Sequence, residues 1–253
     1  MLNLNDIPPS RPVLIAGPTA SGKSALALRI AVAQGRRVVN ADALQCYDHW
    51  PILSAQPPKS DREAAPHLLY GHIDRAVSYS VGDWLRDVEP LLADNPVIVG
   101  GTGLFFTALT EGLAKIPPVP ADIRRQGEDR LAEIGLSQVV AELDDDTRAK
   151  IDTNNPARVM RAWEVLNATG QGLAVWQKTT THAILPANRV TRLCLTAPPD
   201  WLNPRIARRF NEMLEEGVLL EAQANLPDFD FTRPSDRAIG AKELISCVKS
   251  DIS

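Results

Sequence analysis

Short apolar runs alternate with amphipathic stretches along much of the chain. Five runs have the length and composition of buried strands: Val13–Ala16, Arg37–Asn40, His67–Ile73, Pro96–Gly100 and Val190–Thr196. Helical patterns lie between the first four, most clearly at Ser24–Gln34 and Val81–Ala93. This alternation is typical of βαβ units and predicts an α/β fold with a doubly wound parallel sheet.

A different pattern fills residues 116–185. The segment begins with a Pro-Pro-Val-Pro run at 117–120, and it then shows helical periodicity in three stretches: Asp122–Ile134, Ser137–Leu143 and Pro156–Thr169. We therefore predict a helical insertion, residues 116–185, within one core domain formed by residues 1–115 and 186–253. In the last part of the core, a helix is predicted at Trp201–Gly217, and a Pro- and Asp-containing stretch follows it to Ser253.

Composition narrows the class of protein. The 253 residues are 44% hydrophobic, which is enough for a sizeable core, and the net charge of −4 argues against unselective coating of nucleic acid while leaving room for a local basic groove. No apolar run approaches the roughly 20 residues that span a bilayer, so we expect no membrane association and a cytoplasmic location. The three cysteines are widely spaced and support neither a disulfide framework nor a zinc site.

The strongest motif follows the first strand. It has the pattern G-x-x-x-x-G-K-[ST], whose backbone N–H groups, lysine and following helix N-terminus together bind a di- or triphosphate. Its residues are Gly17, Pro18, Thr19, Ala20, Ser21, Gly22, Lys23 and Ser24. A chance glycine-rich turn is the alternative, but the strand before the motif and the helix after it favour a phosphate loop. Taken alone, this motif suggests ATP.

Polar residues and glycines follow two other predicted strands, at the edge of the sheet where ligands bind. Asp42 comes two residues after the second strand and could act as a general base, support the water shell of a metal, or only cap a turn. Gln45 could bond a base edge or cap the same turn. Gly100 and Gly101 could bring the backbone close to a ligand or allow a tight turn, and the Thr102 hydroxyl would point into the same crevice. An ordinary P-loop NTPase has a carboxylate where the fourth strand here has glycine.

These motifs together resemble one family. Gly17–Ser24 is followed by Asn-Ala-Asp-x-x-Gln-x-Tyr at 40–47, Val-Gly-Gly-Thr-Gly-Leu at 99–104, Asn-Pro-x-Arg-x-x-Arg-Ala at 155–162 and Ala-Ile-Gly-x-Lys-Glu at 238–243. Their order and spacing are similar to those of the tRNA dimethylallyltransferases, over nearly the whole chain. The resemblance implies transfer of a dimethylallyl group from dimethylallyl diphosphate to the exocyclic amine of an adenosine beside the anticodon of tRNA.

The resemblance also implies roles in catalysis and diphosphate binding. Asp42 would be the general base on the adenine amine, and Thr19 would donate its hydroxyl to the bridging oxygen of the donor. The phosphate loop, Gly17–Ser24, would hold the diphosphate with Arg209, and Mg²⁺ would bind at Ser24. Arg205 lies one helical turn before Arg209, although arginines at this spacing are commonly solvated.

Contacts to tRNA are implied at four places in the sequence. They fall on Asp42, Ala43, Leu44, Gln45, Thr102, Arg124, Ala157, Arg158, Val159, Met160 and Arg161. The anticodon stem-loop would be the partner, and the insertion would be its main binding surface. On residue pattern alone, Arg158 and Arg161 are equally well explained as surface partners of Asp152 or Glu164.

The chain departs from the family pattern at several points. Ala43 stands where the family usually has Ser, and Ala241 where it often has Tyr. Family members usually continue beyond the position of Ser253 with basic helices, so we expect weaker tRNA affinity or poorer solubility. Three alternative functions stay open: a small-molecule kinase, an enzyme that prenylates free adenine nucleotides, and an RNA-binding protein without turnover. We expect the protein to be a monomer.

Overall fold

The computed structural model describes residues 3–252, with side chains through Ser250. It divides into two compact units, of which one is Glu111–Ile184 and the other, the core, contains the rest of the described chain. The insertion was predicted at residues 116–185, and the first of these units spans residues 111–184.

The core contains a five-stranded parallel sheet with the strand order β3-β2-β4-β1-β5. The strands are β1 (Val13–Ala16), β2 (Val38–Asn40), β3 (His67–Leu68), β4 (Val97–Gly100) and β5 (Thr191–Cys194). All five predicted strands are present, and the prediction of a doubly wound parallel sheet is confirmed. The strands of the centre, β2 and β4, are buried throughout, as continuous apolar runs require.

Four helices follow strands in the first part of the core: α1 (Lys23–Gln34), α2 (Lys59–Ala64), α3 (Val81–Val88) and α4 (Gly103–Glu111). The observed β3 and α3 are shorter than predicted. β3 stops before Leu69 because that residue takes a positive φ of 63°, which a strand cannot contain. α3 gives way to a 3-10 helix at Glu89–Asp94 because Pro90 has no N–H to continue the α-helical hydrogen bonds.

The unit Glu111–Ile184 is helical, as predicted for the insertion. Its helices are α5 (Ala121–Ile134), α6 (Leu136–Ala141), α7 (Asp145–Arg148), α8 (Pro156–Thr169) and α9 (Leu173–Trp176). α5 approaches α8 closely at Gly127, where an added Cβ would lie 2.6 Å from the Met160 side chain. Val139, Val159 and Val165 form the centre of its separate hydrophobic core.

The last part of the core is more helical than the sequence pattern indicated. α10 (Pro199–Glu216) ends at Gly217, whose φ of 97° suits glycine, and it is followed by α11 (Val218–Asn225) and α12 (Ala241–Ile252). No element had been assigned beyond 217 from the sequence pattern. α11 and α12 are stabilised mainly by packing, because Val218, Ile245 and Val248 are buried against Trp50, at about 1.5–3 kcal/mol for each large side chain.

Candidate active site

Three loops meet at the carboxyl edge of the sheet. β1 lies beside β4, and β4 lies beside β2, so the loops that follow these strands are neighbours. They carry the phosphate loop Gly17–Ser24, the turn Gly100–Thr102 and the turn around Asp42. The strand order thus brings together the groups that the sequence placed at three separate positions, at the edge where parallel sheets bind ligands.

The phosphate loop is a tight turn followed by a helix. The Ser21 N–H donates to the Pro18 carbonyl at 3.3 Å, the Lys23 ammonium donates to the same oxygen at 3.2 Å, and α1 begins at Lys23. Ala20 takes a positive φ of 61°, a conformation that costs a residue other than glycine roughly 1–3 kcal/mol. Gly17 is required for packing, because a Cβ there would lie 2.9 Å from Ser21 Oγ. Thr19 is exposed on this turn.

Helix α10 adds basic side chains to this loop. The cleft between them has a volume of about 240 Å³ and is lined by Ala20, Gly22, Lys23, Ser24, Ala25, Arg205, Arg208, Arg209 and Glu212. Arg205 Nε donates to the Ala20 carbonyl at 2.9 Å, and its guanidinium lies 4.3 Å from the centre of the Trp201 ring. Of the two interpretations of Arg205, the structure therefore supports a shared face with Arg209 at the cleft over a solvated side chain.

Lys23, Arg209 and Asp42 share one electrostatic environment. Burial lowers the pKa of Lys23, an effect opposed by the Asp42 carboxylate and reinforced by the Arg209 charge. Burial also lowers the pKa of Arg209, again opposed by Asp42. Two partly desolvated cations therefore lie near one carboxylate, as in a site that binds an anion and moves a proton.

The Asp42 turn is held by hydrogen bonds from three directions. The Asn40 carboxamide accepts from the Asp42 N–H at 2.8 Å, and Asp42 Oδ1 accepts from the Leu44 N–H at 3.1 Å. The Thr102 hydroxyl accepts from the Ala43 N–H at 3.0 Å, so its oxygen supports the turn. The turn-forming alternative for Asp42 is thus realised by one carboxylate oxygen, Oδ1. A Cβ on Gly101 would lie 3.2 Å from the other, Oδ2.

Close packing at position 100 explains why β4 ends in glycine and not in a residue with a carboxylate. A Cβ at position 100 would lie 2.0 Å from the Ala41 carbonyl oxygen, which is far inside van der Waals contact. The close packing is needed because the Ala41 N–H donates to the Val99 carbonyl and the Ala41 carbonyl accepts from the Thr102 N–H. Gly100 is therefore needed to pack the Asp42 turn against β4.

Gln45 is bound to a segment that the sequence did not connect with it. Its Nε2 donates to the carbonyls of Ser54 and Ala55 at 2.7 and 2.9 Å, which leaves Oε1 as its group for a base edge. Gln45 also lines a second cleft of about 440 Å³ that adjoins Ser24 and Arg209. Ala43 and Leu44 are half-buried beside it.

A buried carboxylate fixes the segment that follows Gln45. Asp236 is fully buried, and it accepts from His49 Nε2 at 3.0 Å, Trp50 Nε1 at 3.1 Å and the Asp230 N–H at 3.1 Å. Burial alone would raise the pKa of Asp236, but these hydrogen bonds outweigh it and lower the pKa. Burial and the Arg75 charge lower the pKa of His49 against the effect of Asp236.

The predicted tRNA contacts of the helical unit lie at the start of α8 and in α5. Arg124, Arg158 and Arg161 are exposed, and Arg161 forms a 3.7 Å ion pair with Glu164, one of the two surface partners considered above. Ala157 is exposed and Met160 is half-buried. Val159 is fully buried in the core of the unit, so only its backbone could meet a ligand.

Sequence reasoning missed the contribution of three residues near the loop. Trp201 and Arg208 had no assigned role, and Glu212, which lines both clefts, was not considered. Their only local signal is the four-residue spacing of α10, which also fits a solvated helix. The described residues contain no group of three or more His, Cys, Asp or Glu side chains that could hold a metal ion.

A strand that ends in a phosphate loop, neighbouring strand ends that carry an acid and glycines, and a parallel sheet define a P-loop NTPase-like α/β protein. A model of the IPP transferase family matches residues 45–253, and one of the isopentenyl transferases matches 11–73. The chain belongs to the IPP transferase family, and it is a transferase of the prenyltransferase class.

Relatives and solved structures agree with this assignment. The chain is 56% identical to the tRNA dimethylallyltransferase of Cereibacter sphaeroides strain KD131, over 98% of this chain and 80% of that protein. It is 54% identical to the enzyme of the same name from Dinoroseobacter shibae, over 99% and 86%. The crystal structure of the tRNA isopentenylpyrophosphate transferase from Bacillus halodurans is 28% identical, with a TM-score of 0.62 over 96% of this chain and 78% of that one.

Proposed function

We propose that the protein transfers a dimethylallyl group from dimethylallyl diphosphate to N6 of the adenosine adjacent to the anticodon, in tRNAs that read codons beginning with U. The observation that carries this proposal is the proximity of Asp42 to Lys23 and Arg209, whose pKa values both respond to its charge. One reaction needs both kinds of group: an anion site for the departing diphosphate and a base for the amine.

In the proposed step a bond forms between adenine N6 and C1 of the dimethylallyl group while the bond from C1 to the diphosphate oxygen breaks. The N6 proton passes to Asp42, and the electron pair of the broken bond leaves with the diphosphate. The exocyclic amine is a weak nucleophile because its lone pair is delocalised, so proton removal contributes about 10²–10⁴-fold to the rate. Lys23 and Arg209 stabilise the charge that develops on the diphosphate, and Thr19 donates to its bridging oxygen.

The loop residues suit a bound diphosphate. Ser21 Oγ is buried without a hydrogen-bond partner, and the cradle at Gly17 has no room for a side chain. Mg²⁺ fits this site as an ion held mainly by phosphate oxygens, with the Ser24 hydroxyl as its protein ligand, since Mg²⁺ is commonly bound through substrate phosphates. Bound there, it would neutralise part of the diphosphate charge.

The tRNA contacts predicted above belong to this proposal. Arg124, Arg158 and Arg161 would bind the anticodon stem-loop, Thr102 and the segment Asp42–Gln45 would surround the adenine, and extrusion of that base costs least in a single-stranded loop. Among the described residues, no helix is both long enough and apolar enough to cross a bilayer. Because its proposed substrate is tRNA, we place the enzyme in the cytoplasm, and we predict that it acts as a monomer.

The experiment incubates the protein and Mg²⁺ with dimethylallyl diphosphate labelled in its prenyl group. The acceptor is an anticodon stem-loop, the same stem-loop with guanosine at the target position, AMP or none. We expect label in the adenosine stem-loop alone. Label in AMP would favour the nucleotide-prenylating alternative, and binding without transfer to any acceptor would favour the RNA-binding alternative. The kinase alternative predicts phosphate transfer from ATP to a small acceptor, so ATP labelled in its γ-phosphate is tested in parallel.

A further inference from the structure

Helix α10 holds the phosphate loop through a side chain other than the predicted diphosphate ligand Arg209. Arg205 Nε donates to the Ala20 carbonyl at 2.9 Å. Its guanidinium carbon lies 4.3 Å from the centre of the Trp201 ring, within the range of a cation–π contact. Arg205 is half-buried. Its guanidinium is thus held by the Trp201 ring and by the loop.

The peptide that Arg205 contacts decides the shape of the loop. The carbonyl and the N–H of a trans peptide point in opposite directions, and the Ser21 N–H of this same peptide donates to the Pro18 carbonyl at 3.3 Å. Arg205 and the turn hydrogen bond therefore fix one peptide plane from its two sides. This is also where Ala20 takes its positive φ of 61°, a conformation that persists only when its surroundings hold it.

We propose that Arg205, stacked on Trp201, is a positioning residue for diphosphate binding: it fixes the Ala20–Ser21 peptide so that the phosphate loop has its binding shape before the ligand arrives. A preorganised site binds more tightly because less ordering accompanies association. The proposal rests on the proposed diphosphate site and concerns binding alone, so it can be tested without tRNA or prenyl transfer.

Arg208 provides the matched control. It lies three residues further along α10, lines the same cleft and has the same charge, but it is exposed, and among the described residues its side chain forms no hydrogen bond with the loop. If Arg205 acted only through its charge on the ligand, removal of either arginine would have a similar effect. That effect would also shrink at high salt, because ions screen a direct charge interaction.

The experiment measures the Kd for inorganic diphosphate with Mg²⁺ by calorimetry at low and high salt, for the wild type, Arg205→Gln, Arg205→Lys, Arg208→Gln and Trp201→Leu. We expect Arg205→Gln to weaken binding about tenfold, the loss of one charge-assisted hydrogen bond, with the same ratio to wild type at both salt concentrations. Arg205→Lys should keep part of the affinity that Arg205→Gln loses, and Trp201→Leu should raise the Kd about two- to fivefold. Arg208→Gln should have a smaller effect that disappears at high salt.

Amide hydrogen exchange in the free protein gives a second readout. We expect residues 17–22 to exchange faster in Arg205→Gln and Trp201→Leu, and unchanged in Arg208→Gln. Equal losses of affinity in Arg205→Gln and Arg208→Gln, or unchanged exchange in Trp201→Leu, would overturn the proposal. Should Arg205→Gln not fold, Trp201→Leu decides alone. A wild type that does not bind diphosphate would instead contradict the proposed function.

Discussion

In the core, Lys23 and Arg209 are partly buried beside Asp42, and burial lowers the pKa of both, whereas Arg124 and Arg158 of the helical unit are exposed on its surface. A desolvated cation interacts strongly with an anion that replaces its lost water. An exposed cation interacts weakly with an anion, and dissolved salt screens that interaction further. Under the proposed function, similar basic residues therefore have different tasks: those of the core stabilise the departing diphosphate, and those of the helical unit add affinity for tRNA.

The largest effect should come from the carboxylate of the core. Asp42→Asn removes the proposed base, and we expect prenyl transfer to slow by about 10²–10⁴-fold while the Kd for diphosphate changes little. Single-turnover kinetics with labelled donor and calorimetry with diphosphate measure the two quantities. Asp74→Asn is the matched control, because Asp74 is exposed and likewise accepts from an N–H two residues later, that of Ala76. Near-normal turnover of Asp42→Asn would contradict its role as base.

The second largest effect should come from disturbing the close packing between β4 and the Asp42 turn. Gly100→Ala places a Cβ 2.0 Å from the Ala41 carbonyl, so we expect the free energy of unfolding to fall by about 1–3 kcal/mol and Asp42 to be displaced. Chemical denaturation measures the first effect. Gly103→Ala is the control, since a Cβ at Gly103 meets no atom within 4 Å. Equal stability of the two variants would show that β4 and the Asp42 turn can separate without cost.

Matched substitutions of one arginine in each unit test whether the two units have different tasks. We expect Arg209→Gln to raise the Kd for diphosphate about tenfold with little change in tRNA affinity. Arg158→Gln should leave diphosphate binding unchanged, weaken tRNA binding several-fold, and reduce the slope of log K against log salt by about one. Filter binding over a salt series and calorimetry provide both readouts. If Arg158→Gln altered diphosphate binding as strongly as Arg209→Gln, the division of tasks would be wrong.

The smallest effect concerns pH. His49 has a lowered pKa in the folded protein, so below the ordinary value of 6.5 the unfolded chain takes up a proton more readily than the folded one. Its contribution to stability is complete above that pH and is lost as the pH falls. We therefore expect His49→Gln to reduce the decrease in stability between about pH 7 and 5. Denaturation curves across this range test it, and an unchanged slope would exclude His49 as the source.

Much of the core could be predicted from the sequence because the residues that define each element are close together in the chain. The apolar runs of β1 and β4 are bounded by turn residues, and the loop Gly17–Ser24 is one contiguous motif. What could not be predicted depends on packing between distant residues. Arg205 bonds Ala20 across 185 positions, and no feature near either residue indicates the other. α12 is stabilised mainly by its contacts with α11 and Trp50, so the local sequence pattern did not indicate this helix.

The site shows the same division. Asp42 and Lys23 were identified from motifs, but the reason that Gly100 must be glycine lies in the Ala41 carbonyl of the neighbouring strand. The Thr102 hydroxyl was expected in the crevice, and the structure shows that its oxygen accepts from the Ala43 N–H. In both cases the sequence named the residue, and only the strand order revealed its partner.

The most direct measurement is a crystal structure of the protein with a non-cleavable thiolo analogue of dimethylallyl diphosphate, Mg²⁺ and an anticodon stem-loop. We predict the diphosphate in the loop between Lys23 and Arg209, with adenine N6 within hydrogen-bond distance of Asp42 Oδ2 and facing C1 of the prenyl group. A diphosphate bound away from the loop, or an adenine whose N6 does not reach Asp42, would contradict the account.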